Sequence, residues 1–179
     1  MVRADAEANR GRIVAAAREA LAESSDASLH AIARRAGVGQ GTLYRHFPTR
    51  EALLLAAYRE DIRVVLDLAP ELLAGHPPAE ALRLWLDRLA SYGRIKHGVS
   101  QAAEAATRAG LSDEFYGQTT AAITLLLDAG KKAGSIRADV DAQDVLYLAG
   151  FLWHIGNEDW ERRSAHLLDL VMDALRPQR

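Results

Sequence analysis

Apolar side chains along the chain recur at intervals of three and four, and no stretch sustains the alternation of a half-buried strand. The pattern predicts an all-α protein of about nine helices. Ile13, Ala17, Ala20 and Leu21 form the stripe of a first helix over residues 9–22, and a polar stretch at 23–27 ends it. Ser28 stands where its hydroxyl can accept from an orphan backbone N–H and cap a second helix over 29–36, which buries Leu29, Ile32 and Ala33. Gly37 supplies the left-handed residue that closes that helix. A short third helix spans 40–47 and is broken by Pro48, after which Thr49 caps a long fourth helix over 49–68.

Pro70, Gly75, His76, Pro77 and Pro78 predict a break. A fifth helix follows over 79–96 with Leu82, Trp85, Leu89 and Tyr92 on one face, then a shorter segment near 101–108. A helix over 112–132 carries Asp113 and Glu114 in its first turn and Lys131 and Lys132 in its last, which suits its dipole. A turn at 134–139 precedes two final helices over 142–155 and 159–175, expected to pair antiparallel across Gly156 and Asn157.

Charge changes the picture because it is unevenly placed. The chain is −2 overall, yet residues 1–50 hold eight Arg against five acids, while residues 51–179 hold fourteen Lys and Arg against nineteen acids. A basic front on an acidic body suits a protein that meets phosphates at one end only. There are no cysteines, so disulfide, thiolate-metal and cysteine-nucleophile schemes drop out. No apolar run approaches the roughly 20 residues that span a bilayer, and residues 1–12 lack the apolar segment of a secretory signal. A soluble, cytoplasmic protein with no membrane partner is expected.

The informative stretch is LHAIARRAGVGQGTLYRHF, residues 29–47. Two short helices joined through Gly37 and Gly39, with Ala33 small where they approach, match a helix-turn-helix. Leu43 and Phe47 lie i, i+4 and point inward, which leaves Gln40, Gly41, Thr42, Tyr44, Arg45 and His46 wholly or partly outward. An amide, hydroxyls and cations on a glycine-relieved helix end suit phosphate and base contacts in a groove. The competing reading is an αα-corner inside an all-α enzyme. No acid, base or nucleophile pair can be placed on a pocket, so an enzyme is not expected.

The stretch from Ile13 through Ala57, above all IARRAGVGQGTLYRHFPTREALL, resembles the N-terminal signature of the TetR family of transcriptional regulators. The resemblance rests on Ala33, Gly37, Val38, Gly41, Thr42, Leu43, Tyr44, Phe47 and Arg50, and departs from the family at Ser24–Ser25, where glycine is usual. It implies a dimer with recognition helices in successive major grooves of double-stranded operator DNA. Gln40 and Gly41 would then face bases, Thr42, Tyr44, His46 and Arg50 would anchor phosphates, and His30 would stand near a base. Less strongly, ALRLWLDRLASY and IRADVDAQDVLYLAGFL resemble that family's helical effector-binding and dimerisation domain. The expected division is a DNA-binding domain over 1–50, continuing into the linking helix at 49–68, and an effector domain over 51–179.

Within that second domain Trp85, Arg88, Tyr92, Phe115, Tyr116, Phe151 and His154 are the candidate contacts to a small-molecule effector, with ordinary core packing as the competing reading. Val145, Leu148 and Leu152, facing Leu167, Leu168, Val171 and Leu175, give two apolar faces that would make a four-helix homodimer interface, unless both pack within the monomer. Arg3, Arg10 and Arg12 are candidates for a phosphate-seeking arm. No cofactor is expected, and no His/carboxylate pair is spaced for a metal. The function expected is a ligand-responsive repressor; the alternatives are an all-α enzyme and a partner-binding module that keeps the N-terminal fold.

Overall fold

The computed structural model describes residues 2–24, 26–98, 111–153 and 159–177, and among them every regular element is helical. The helices are α1 (Val2–Glu23), α2 (Leu29–Arg35), α3 (Gln40–His46), α4 (Arg50–Gly75), α5 (Pro78–Gly98), α6 (Leu111–Lys132), α7 (Ala142–Leu148) and α8 (Trp160–Ala174), with a 3-10 segment over Ala149–Trp153. The described chain forms two compact units that meet in sequence between Ile62 and Arg63, inside α4. The segment expected near 101–108 lies outside the described residues.

The first unit is built from α1, α2, α3 and the opening turns of α4. Ile13, Ala17, Ile32, Leu43, Phe47 and Leu53 are buried together there, so the stripe of each helix turns inward. The capping chemistry follows the residue types. The Ala31 N–H donates to the Ser28 hydroxyl at 3.1 Å, and the Ala52 N–H donates to the Thr49 hydroxyl at 3.1 Å. Gly37 has φ +66°, while the Val38 N–H reaches the Ala33 carbonyl and the Gly37 N–H the Arg34 carbonyl. These paired bonds are a Schellman closure, which needs a residue free to enter the left-handed region. The first helix begins at Val2 rather than near residue 9, so Arg10 and Arg12 belong to a helix and not to an extended arm.

The second unit has its own core, in which Val65, Leu82, Trp85, Leu86, Ile123, Leu126, Leu127, Val145, Leu152 and Leu168 are buried. Pro70 does not end α4, which runs on to Gly75. An interior proline removes one backbone bond and crowds the preceding turn, at a cost of about 3 kcal/mol. The continuation lets Leu72 and Leu73 pack on the second core, and their burial offsets that cost. The break falls instead at His76 and Pro77, and Pro78 opens α5 at the first helical position, where no N–H is required. The Trp85 indole N–H donates to the Val65 carbonyl at 2.8 Å and pins α5 to α4 within this unit.

Gly134 closes α6 as Gly37 closes α2, with φ +67° and bonds from the Gly134 and Ser135 N–H groups to Lys131 and Gly130 carbonyls. Ile136 then folds over Gly130, where a Cβ would meet both Cδ1 and Cγ1 of the isoleucine. Asp141 caps α7 in a capping box with Asp144. The helix expected over 142–155 is shorter: α7 ends at Leu148, and the chain tightens into 3-10 turns that include Gly150, a weak helix former.

Candidate nucleic-acid interface

The short helix α3 is fixed from beneath and open above. Leu43 and Phe47 are 0% and 1% exposed, whereas Tyr44 is 46% exposed. Gln40, Gly41 and Arg45 are exposed, and Thr42 and His46 are half-buried. A Cβ added at Gly41 would meet nothing within 4 Å, and its φ is not positive, so nothing inside the protein requires glycine there. His30 is exposed on α2, and Arg50 is half-buried at the start of α4.

Three cationic contacts brace this unit. An Arg50 Nη1 donor is held by the Ala27 carbonyl, which ties the start of α4 to the turn before α2. The Arg35 guanidinium donates to both Glu23 carboxylate oxygens at 2.8–2.9 Å, joining the ends of α1 and α2. The Arg10 guanidinium lies 4.6 Å above the Phe47 ring, within cation–π range, and so covers the C-cap of α3. Deeper in, Asp61 is 8% exposed and accepts from Arg18. Burial raises its carboxyl above the ordinary range, with Arg18 opposing the rise.

Electrostatically the pairings separate two groups of arginines. Arg18 and Arg35 face carboxylates. Arg10, Arg12 and Arg45 contact neutral groups: an aromatic ring, the Asn9 amide, and the Gly41 carbonyl with the Thr42 hydroxyl. Their charge is therefore not neutralised by these partners. The Arg10 contact was not legible in the sequence, since it joins positions far apart along the chain; the Arg45 contacts are local, at i−3 and i−4, and follow from helical spacing.

The candidate effector residues do not converge in the same way. Trp85 is fully buried with its N–H satisfied, Phe115 is 4% exposed, and Phe151 packs partly buried on the second core. Arg88 is exposed and Tyr116 is 52% exposed. The Tyr92 side chain and His154 lie outside the described residues. An open groove of about 330 Å³ between α5 and α8 is lined by Asp87, Ala90, Ser91, Trp160, Glu161, Ser164 and Ala165, none of which is a candidate.

The expected dimer faces need a larger correction. Val145, Leu152 and Leu168 are 0% exposed, Leu175 is 1% and Val171 is 5%, all within the protomer's own core. A side chain already covered by its own chain has little surface left for a partner. Helical periodicity identifies an apolar face but not which chain covers it. Leu167 is partly buried, and Leu148 is 42% exposed. The other large apolar side chains left open on α7 and α8 are Tyr147, 74% exposed, and Leu170, 51% exposed.

Among the described residues no group of three His, Cys, Asp or Glu is placed to hold a metal ion, and no helix is long and apolar enough to cross a membrane. An all-helical chain with its own small core beneath a short, polar, outward-facing second helix defines a helix-turn-helix DNA-binding protein.

Comparison with known proteins agrees at both ends of the chain. Residues 13–57 match the family of bacterial regulatory proteins of the tetR type, and residues 77–177 match the C-terminal domain of SbtR-like transcriptional regulators. The crystal structure of a TetR transcriptional regulator from Streptomyces coelicolor is 43% identical, with a TM-score of 0.80, over 95% of this chain and 99% of that one. A TetR regulatory protein from Mycobacterium vanbaalenii is 32% identical, with a TM-score of 0.73, over 98% and 99%. The repressor of a multidrug efflux pump in Stenotrophomonas maltophilia shares the fold at 18% identity and a TM-score of 0.61, over 94% and 91%. No functionally curated protein matches the chain. The chain belongs to the TetR family of transcriptional regulators.

Proposed function

We propose that the chain is a repressor, not an enzyme, that binds a palindromic operator as a homodimer and is released by a small molecule acting on the second unit. One observation carries the DNA-facing part: α3 holds Leu43 and Phe47 in the core while Gln40, Gly41, Tyr44 and Arg45 stay exposed. Gln40 and Gly41 face base edges. Thr42, Tyr44, Arg45, His46 and Arg50 meet phosphates, and His30 lies beside them. The dimer forms through the open apolar residues Tyr147, Leu148 and Leu170, with Leu167 at their margin. Family membership supports a dimer and an effector. The effector acts by population shift, favouring a separation of recognition helices that no longer matches half-sites about 34–36 Å apart. Spin labels on α3 of both protomers should report that change in spacing; release at unchanged spacing would contradict it.

The base-reading role of Gln40 is tested by replacing it with alanine. An amide pairs in bidentate fashion with adenine, and its loss should relax preference at one base pair by about 1–3 kcal/mol. Competition binding across operator variants measures this. Equal weakening on every duplex would remove Gln40 from the base-facing set.

Gly41→Ala should move stability and affinity in opposite directions. Alanine meets nothing in the free protein and is favoured over glycine in a helix by up to about 1 kcal/mol. Against DNA, the new methyl group holds the helix off the groove wall, and affinity should fall about tenfold or more. Thermal unfolding beside fluorescence anisotropy reads both. Unchanged affinity would mean that the backbone at Gly41 does not approach the duplex.

A further inference from the structure

Arg45 does not extend from α3 into open space. Its Nε–H donates to the Gly41 carbonyl at 3.2 Å, and an Nη2–H donates to the Thr42 hydroxyl oxygen at 3.0 Å. The side chain therefore lies folded along the exposed face of its own helix. Two consequences follow from elementary hydrogen-bond chemistry. A hydroxyl has one proton to give and two lone pairs to receive with. Because the guanidinium fills an acceptor position, the Thr42 proton turns away from Arg45. Among the described residues that proton has no acceptor, whereas a helical threonine commonly returns it to a carbonyl one turn back. Accepting a charge-assisted bond also polarises the O–H and strengthens it as a donor.

The guanidinium, for its part, keeps N–H donors beyond the two in use, and its charge meets no carboxylate in these contacts. Holding it at two points removes rotamer freedom before any ligand arrives, so less entropy is lost on binding. We propose that Arg45 is a positioning residue: it orients the Thr42 hydroxyl outward, and the two side chains form one preassembled clamp for a single backbone phosphate. This rests on the reading that the exposed face of α3 meets DNA. It adds that Thr42 works only when Arg45 stands behind it. A lysine at 45 keeps the charge but is a point donor without the planar fork that spans both Gly41 and Thr42.

The test is a double-mutant cycle on the full-length chain with a duplex from the promoter region beside its own gene. The variants are Thr42→Val, Arg45→Lys and the pair, each checked by thermal unfolding. Alone, Thr42→Val should weaken binding about three- to tenfold, and in the Arg45→Lys background it should change affinity less than about twofold. Arg45→Lys should itself weaken binding while leaving the salt slope unchanged, because the charge count is preserved. Arg45→Gln, which removes the charge, should lower that slope by about one. Additive losses for Thr42→Val and Arg45→Lys, with wild type still binding, would overturn the clamp and leave the DNA-facing reading intact. A change of base preference in Arg45→Lys would overturn it too, since Arg45 would then leave its helix to read a base. Wild type that ignores duplexes at low salt would remove both.

Discussion

Replacing Leu170 by aspartate should split the dimer and cut operator affinity by about 10²–10⁴-fold, while each protomer stays folded. Leu170 is 51% exposed on α8, so no core contact is lost within the protomer. It is flanked by Asp169 and Asp173, and a further carboxylate would place like charges together wherever two copies meet. The affinity loss follows from multivalency: two linked recognition helices bind with an effective concentration that one helix lacks, and that advantage vanishes with the dimer. Analytical ultracentrifugation reads the assembly, circular dichroism the fold, and anisotropy the affinity. A stable dimer after the substitution would place the interface elsewhere, and the same substitution at Tyr147 or Leu148 would then locate it.

Leu43→Ala should have the largest effect on stability, lowering it by about 2–5 kcal/mol. The side chain is 0% exposed and holds α3 to the first core, so its removal leaves a cavity that Phe47 and Ile32 only partly fill. Whole domains are stable by only about 5–15 kcal/mol, so a loss of this size leaves the first unit close to unfolding. Because the two cores are separate, the second unit should keep its structure. Denaturant unfolding is expected to show two transitions where the wild type shows one or two closer together, with DNA binding lost in the first. A single transition shifted as a whole would show that the cores unfold as one cooperative block.

Much of the first unit was legible in the sequence because its signals are local. Ser28, Gly37 and Thr49 act on backbone groups within three or four residues, and each is found in the bond its residue type suggests. Leu43 and Phe47 lie one turn apart, and their burial follows from that spacing. Features decided at a distance were not legible. Pro70 sits inside α4 because Leu72 and Leu73 find a core beyond it, which no local rule for proline contains. Val145 and Leu168 form apolar faces as expected, but only the folded chain shows that the protomer covers them itself. Trp85 resembles a pocket aromatic until its indole N–H is found on the Val65 carbonyl. Arg10 over Phe47 joins the first helix to the end of the third, with no pattern in the chain to announce it.

The account stands on the outward face of α3 meeting a phosphate backbone. Its most direct test is the affinity of the purified chain for duplex from the promoter region beside its own gene, measured across salt concentrations. Counterion release requires log affinity to fall linearly with log salt, with a slope of about −0.9 for each phosphate neutralised. A dimer presenting Arg45, Arg50 and their neighbours twice should give a steep negative slope, made shallower by Arg45→Gln. Affinity that does not respond to salt, or no binding at low ionic strength, would contradict the account.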